Sequence, residues 1–194
     1  MLDSLSPTEL AKREAELSSR VASLQPQGQQ LNMARGRPSP EQLDLANPML
    51  ALPGSGEYQS TEGIDCRSYG GIDGLPEMKK LFGSILDCPA QNIVVGGNSS
   101  LAMMHDALVR AYIWGAPGGD MPWREQGTIR FLCPSPGYDR HFLITELFGF
   151  EMLPVEMTST GPNMDQVESL VSDPSVKGIW CVPRYSNPTG VTYS

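Results

Sequence analysis

Asn187-Pro188-Thr189-Gly190 is the turn that decides the fold of this sequence. It follows an apolar run at residues 178–182, which predicts a buried strand. A strand that runs into an Asn-Pro turn places the Asn187 side chain at the carboxyl edge of a sheet, which is where open α/β sheets bind their ligands. Taken alone, these four residues are also a common surface turn, so the assignment depends on the rest of the chain.

The second half of the sequence alternates between strand patterns and helix patterns. Such alternation predicts a mostly parallel sheet with helices on both faces, that is, an α/β fold built as a three-layer α-β-α sandwich. The predicted strands are residues 92–95, 128–133, 151–155 and 177–182, and the later predicted helices are residues 138–148 and 163–172.

Gly96-Gly97-Asn98-Ser99-Ser100 follows the first of these predicted strands, and apolar residues then recur at helical spacing. Backbone N–H groups are free at the start of a helix, the helix dipole is positive there, and glycine lets an anion approach the main chain. The loop therefore predicts a phosphate site, with an ordinary strand-to-helix turn capped by serine as the alternative. It is neither a Walker loop nor a dinucleotide loop, because no lysine follows the glycines and Gly-x-Gly-x-x-Gly is absent.

Two further segments complete a set of four: Tyr69-Gly70-Gly71-Ile72-Asp73-Gly74-Leu75-Pro76-Glu77 and Pro134-Ser135-Pro136-Gly137-Tyr138. With these segments in this order, the chain resembles the fold-type I, pyridoxal phosphate (PLP)-dependent aminotransferases, within the aspartate aminotransferase-like class I/II group. The tract Asn32-Met33-Ala34-Arg35-Gly36-Arg37-Pro38-Ser39 resembles the opening of the catalytic core in a subgroup with MocR-like aminotransferase domains. The resemblance runs from about residue 31 to the last residue and implies the large domain of that fold.

The resemblance implies PLP as the cofactor and assigns residues to it. Gly97, Asn98 and Ser99 match the phosphate-binding turn, with Ser100 as a further hydroxyl donor. Asn187 matches the residue whose amide donates to the phenolic oxygen of PLP.

Two tyrosines are also assigned by the resemblance. Tyr138 is the candidate for the ring stacked on the pyridine, with a plain core residue at a helix start as the alternative. Tyr69 matches a tyrosine that reaches the phosphate of the neighbouring subunit, which implies a homodimer with shared active sites.

The substrate and the covalent lysine are the remaining parts of the expected site. Arg35 and Arg37 lie where the family's amino-terminal segment passes the substrate, and a bidentate arginine suits a dicarboxylate; the alternative is that both are solvated or pair with nearby acids. The resemblance to the subgroup implies L-aspartate with 2-oxoglutarate, with other amino acids open. No lysine belongs to a motif that matches the family's Schiff-base lysine, and all four are interpreted as solvated surface charges: Lys12, Lys79, Lys80 and Lys177. We therefore expect an amino-terminal portion of a transaminase that is inactive by itself.

The resemblance also divides the chain. Residues 1–55 are expected to form an amino-terminal helix and a segment of the small domain or dimer arm, and residues 56–194 the first part of the large PLP-binding domain. Ser6-Pro7-Thr8-Glu9 predicts the start of the first helix with a capping box.

Composition limits the other possibilities. Fourteen basic and 22 acidic residues give a net charge of −8, which disfavours nucleic acid and anionic membranes as partners. No apolar run is long enough to span a membrane, no signal peptide is visible, and the scattered cysteines predict no metal site, so a cytoplasmic protein is expected. Two other classes stay open: the effector-sensing domain of a MocR-type transcription regulator, and a non-catalytic phosphate-binding α/β module.

Overall fold

The computed structural model describes residues 5–24, 36–119 and 121–194. These residues divide into two compact units. The first contains the described residues up to Gln59 together with Asp65–Arg67, and the second contains Ser60–Ile64 and Ser68–Ser194.

Helices dominate the first unit. Helix α1 spans Pro7–Leu24 and begins with the predicted capping box, because the Ser6 hydroxyl accepts from the Glu9 amide at 3.4 Å and the Glu9 carboxylate accepts from the Ser6 amide at 2.8 Å. Helix α2 spans Pro40–Asp44 and has a capping box of the same kind, and a 3₁₀ helix follows at Asn47–Gly54.

The second unit is built on a four-stranded sheet of order β3-β2-β1-β4. Its central strand β1 pairs in parallel with β2 on one side and β4 on the other, whereas β2 and β3 form a short antiparallel hairpin. The predicted mostly parallel sheet is therefore confirmed. The strands are β1 (Arg130–Ser135), β2 (Glu151–Thr158), β3 (Gly161–Pro162) and β4 (Val176–Ile179).

Four helices belong to this unit: α3 (Pro76–Leu86), α4 (Ser100–Trp114), α5 (Asp139–Leu147) and α6 (Met164–Leu170). Short 3₁₀ helices lie at Ala90–Asn92 and Trp123–Glu125. Within the part of the chain that the structure describes, no helix has the length and apolar character needed to cross a bilayer.

Two apolar clusters lie on the two faces of the sheet, because neighbouring residues of β1 point to opposite sides. Phe131 packs with Leu108 and Ala111 of α4, and α5 adds Ile144 to the same cluster. Leu132, the next residue of β1, is fully buried in a second cluster that contains Val167 of α6. The sheet is thus the middle layer between helices, and the predicted α-β-α sandwich is confirmed.

Arg130 joins the amino ends of the parallel strands. Its Nε donates to the Glu151 carboxylate of β2 at 2.8 Å, and its Nη1 donates to the Asp173 carboxylate before β4 at 2.6 Å. Hydrogen bonds from Ser175, followed by the contact with Arg130, lower the pKa of Asp173 to about 2. This charged cluster lies at the strand ends opposite those from which Asn187 and Tyr138 follow.

Two strand predictions need correction. The predicted strand at residues 92–95 does not form within the described residues: Asn92 ends a 3₁₀ helix, and the Val95 amide donates to the carbonyl of Asp73 in a loop, at 2.9 Å. The last strand ends at Ile179 rather than at residue 182. The Trp180 amide still donates to Leu132 at 3.1 Å, but beyond it the backbone has no strand partner.

The Thr145→Val variant tests a buried hydrogen bond between α5 and the end of β4. The Thr145 side chain is fully buried, and its hydroxyl accepts from the Trp180 indole N–H at 2.6 Å. Valine keeps the shape but leaves that N–H without its acceptor, so we expect a loss of about 1 kcal/mol in the free energy of unfolding, measured by denaturant titration. Thr128→Val is the control, since Thr128 is exposed. An equal loss in both variants would contradict the assignment.

Candidate functional site

Two loops meet the same edge of the sheet because β1 and β4 are neighbouring parallel strands. Tyr138 follows β1 and is the N-cap residue of α5. The segment after β4 closes on itself, with the Ser186 amide donating to the Val191 carbonyl at 2.8 Å. Asn187 is exposed at this edge, and its side chain has no hydrogen bond within the described residues. The structure thus brings Tyr138 and Asn187 to one sheet edge.

An aromatic stack links these two loops. The rings of Tyr138 and His141 meet edge to face, with centroids 5.1 Å apart. The His141 ring in turn stacks on Trp180, which directly follows β4, with centroids 4.8 Å apart and planes inclined by 20°. Sequence reasoning did not identify His141 or Trp180. The three-residue separation of Tyr138 and His141 at a predicted helix start was the available signal, because it places both on one side of the helix.

Burial determines the charge of His141. The side chain is 5% exposed, and desolvation lowers its pKa. A neutral imidazole stacked on an indole supports Tyr138 without adding a charge to the sheet edge. The half-buried state of Tyr138 is compatible with both readings of this residue, the cofactor-stacking ring and the plain core residue.

The amino terminus of α4 lies at the glycine loop for which the sequence predicts an anion site. Ser99 is its N-cap, and the Ser99 hydroxyl accepts from the Ala102 amide at 3.3 Å. The amides of Gly97, Asn98 and Ser100 donate to no acceptor in the described part of the protein. Open space surrounds Gly97 where a Cβ would stand. The serine cap and the free amides are present in the same loop. The interpretation as a phosphate site and the interpretation as a turn capped by serine are therefore compatible.

Tyr69 lies in a segment that is open to solvent. Its side chain is fully exposed, as is that of Ile72 nearby. The end of this segment contacts the chain that leads into the glycine loop, through the hydrogen bond from Val95 to Asp73. The structure therefore connects the motif that contains Asp73 with the residue directly before the glycine loop.

The interpretation of Lys79 as a solvated surface charge is wrong. Its Nζ pairs with the Asp73 carboxylate, and only 15% of the Lys79 side chain is exposed. This contact lowers the pKa of Asp73, first through the hydrogen bond and then through the charge of Lys79. The neighbouring Lys80 is exposed and forms no ion pair with any described residue.

Of the two arginines expected to bind substrate, the structure describes only Arg37. Arg35 lies outside the described residues. Arg37 belongs to the first unit, where it is exposed and has no ion pair with a described residue.

The parallel strands, the helices on both faces and the loops at one edge define an α/β domain, and ligands of such domains bind outside the carboxyl ends of the strands. The profile of the family described as "Aspartate amino-transferase" matches residues 5–194. The chain belongs to this family.

Known proteins agree with this membership. The aspartate aminotransferase of Corynebacterium glutamicum is 48% identical over 162 residues, covering 84% of this chain and 38% of that protein. The crystal structure of an aspartate transaminase from the same organism superposes with a TM-score of 0.88 at 42% identity, covering 98% of this chain and 45% of that one. The chain therefore spans less than half the length of these relatives.

A more distant structure shares the fold. The α-aminoadipate aminotransferase of Thermus thermophilus, complexed with N-(5'-phosphopyridoxyl)-L-leucine, superposes with a TM-score of 0.57 at 17% identity. The superposed part covers 83% of this chain and 37% of the Thermus thermophilus chain.

The His141→Phe variant tests the neutral state of His141. Because the folded pKa is lowered, the unfolded chain binds a proton that the folded chain does not, so stability falls as the pH drops below the unfolded value of about 6.5. Phenylalanine keeps a ring against Trp180 and removes this dependence. We expect the variant to lose less stability than the wild type between about pH 7 and pH 5.

Denaturant titrations at several pH values measure this difference. The His105→Phe variant removes the other imidazole of the chain and shows whether the effect belongs to position 141. Parallel pH profiles for the wild type and His141→Phe would contradict the prediction.

Proposed function

We propose that this chain is the amino-terminal part of a PLP-dependent transaminase that transfers an amino group between an amino acid, L-aspartate, and a 2-oxo acid, 2-oxoglutarate. The observation that carries the proposal is the set of free amides at the start of α4 in a chain of the aspartate aminotransferase family. The name of the Corynebacterium glutamicum relative supports aspartate, and the phosphopyridoxyl compound in the Thermus thermophilus structure supports the cofactor.

The amino terminus of α4 fits a phosphate by its chemistry. The amides of Gly97, Asn98 and Ser100 supply N–H donors, and the aligned peptides of the 15-residue helix α4 add a partial positive charge. The space beside Gly97 lets an oxygen approach the main chain. Ser99 contributes its backbone amide, and its hydroxyl, which accepts the Ala102 amide, can still donate its own O–H. The Ser100 hydroxyl is a further donor.

At the sheet edge, the exposed Asn187 amide is proposed to donate to the phenolic oxygen of the cofactor and so to stabilise its deprotonated form. The Tyr138 ring, held by His141, is proposed to lie on the pyridine face. When bound, PLP supplies the electron sink, and these residues orient it and set its charge.

The remaining roles in this proposal belong to Tyr69, Arg35 and Arg37. The full exposure of Tyr69 suits a contact with the phosphate site of a second subunit, which makes the active protein a homodimer. Arg35 and Arg37 are proposed to bind the substrate carboxylates. The preference for aspartate is measured directly by comparing aspartate-dependent formation of oxaloacetate with the turnover of other amino acids.

The Schiff-base lysine is proposed to lie outside these 194 residues. Lys79 is engaged with Asp73, and the chain covers 38% of its Corynebacterium relative, which leaves most of that protein unmatched. The regulator hypothesis has no support from these relatives, which carry the names of aminotransferases.

The Ser99→Asp variant tests the phosphate site. Aspartate is as good an N-cap as serine, so α4 should stay intact, whereas the added charge repels a phosphate. We expect PLP to bind at least about tenfold more weakly, measured by titrating the apoprotein with PLP. Ser99→Asn keeps the cap without the charge and should bind PLP nearly as the wild type does. Unchanged PLP affinity in Ser99→Asp would rule out this site.

The Asn187→Ala variant tests the contact with the phenolic oxygen. Loss of the donor disfavours the deprotonated cofactor, so its pKa should rise by about one unit. A spectral pH titration of the holoenzyme measures the shift. Thr189→Ala is the control from the same turn, since the Thr189 hydroxyl accepts from the Val191 amide at 3.4 Å. An equal or lower pKa in Asn187→Ala would mean that the residue only forms a turn.

A further inference from the structure

Two side chains of helix α3 hold the two ends of the segment that contains Tyr69. The Glu77 carboxylate accepts hydrogen bonds from both the amide and the hydroxyl of Thr61, which precedes Tyr69. The Lys79 ammonium pairs with the Asp73 carboxylate, which follows Tyr69. Both contacts come from the first turns of one helix, so α3 fixes where this exposed segment begins and ends.

Asp73, at one end of the segment, also contacts the residues that lead into the glycine loop. The Asp73 carbonyl accepts the Val95 amide at 2.9 Å, two residues before Gly97. Gly74 has a φ of +103°, and a Cβ there would lie 2.6 Å from the Val95 Cβ. Only glycine permits both this conformation and this approach. The position of Asp73 therefore determines how residues 93–97 enter the start of α4.

We propose that Lys79 is a positioning residue for the phosphate site. Its ion pair with Asp73 fixes the Asp73–Val95 hydrogen bond and through it the amides of the loop at residues 96–100. The inference rests on the proposed function, because it takes the phosphate of PLP as the ligand of that loop.

The burial of Lys79 separates this role from that of an ordinary surface charge. Exposed ion pairs contribute little, but the Lys79 side chain is 15% exposed, and removal of its partner would leave a poorly solvated ammonium. A carboxylate near the start of a helix also stabilises the helix itself, so Asp73 could act on α3 alone. An effect on α3 alone would change the stability of the fold. An effect on the glycine loop would change how much the phosphate group contributes to ligand binding.

Binding of PLP and of pyridoxal, which lacks the phosphate, distinguishes these roles. In the protein stripped of cofactor, Lys79→Met should weaken PLP binding about tenfold and leave pyridoxal binding within about twofold of the wild type. Lys80→Met is the matched control, since it removes an exposed lysine that forms no ion pair with a described residue, and both affinities should stay within about twofold of the wild type. Lys79→Arg should restore most of the PLP affinity, because a guanidinium also donates to a carboxylate.

The Asp73→Asn variant gives an independent measurement and replaces Lys79→Met should that protein not fold. Asparagine keeps the backbone carbonyl that accepts the Val95 amide and removes the charge. The same selective loss of PLP affinity is expected, and the double variant should bind PLP no more weakly than either single variant, since both remove one interaction.

Three results would overturn the inference. Unchanged PLP affinity in Lys79→Met and Asp73→Asn would show that the pair does not act on the site. Equal weakening of PLP and pyridoxal would show a role in the fold alone. If the wild-type protein itself binds PLP no more tightly than pyridoxal, the phosphate site is absent, and the proposed function fails together with this inference.

Discussion

The parallel pairing of β1 with both β2 and β4 is the constraint on which the site depends. Parallel neighbours send their following loops to one edge, so the loops that contain Tyr138 and Asn187 lie there together although 49 residues separate the two positions in the numbering. The same pairing requires apolar residues on both faces of β1. Phe131 and Leu132 satisfy this requirement in two separate clusters, one against α4 and α5 and the other against α6. At the opposite edge, Arg130 connects the strands by ion pairs with the carboxylates of Glu151 and Asp173.

Side chains at the end of β4 belong both to the apolar core and to the candidate site. Trp180 contacts Phe131 in the core, with ring centroids 5.0 Å apart, and also stacks on His141. The buried Thr145 hydroxyl fixes the indole from the other side. Tyr138 therefore rests on a rigid support that is continuous with the core. Such support matters for a cofactor site, because its geometry must be held by residues whose own positions are fixed by packing.

The start of α4 depends on two kinds of interaction. Ser99 satisfies one amide of the helix as its N-cap, whereas the amides of Gly97, Asn98 and Ser100 donate to no acceptor among the described residues. The approach to this turn is not held by a strand pairing within the described residues; instead, the Val95 amide donates to the carbonyl of Asp73. Side chains of α3 thus take part in placing the glycine loop, a task that the sequence pattern had attributed to a strand.

The sequence by itself determined the features that depend on near neighbours in the chain. The capping box of Ser6 and Glu9, the helix start at Ser99 and the strand centred on residues 130–133 were all predicted, because caps and periodicity involve residues a few positions apart. The tertiary structure alone decided which distant residues meet. Lys79 pairs with Asp73, His141 stacks on Trp180, and the apolar run at residues 92–95 forms no strand among the described residues. An apolar run becomes a strand only where another strand offers hydrogen bonds, and a lysine becomes a structural cation only where packing removes it from water.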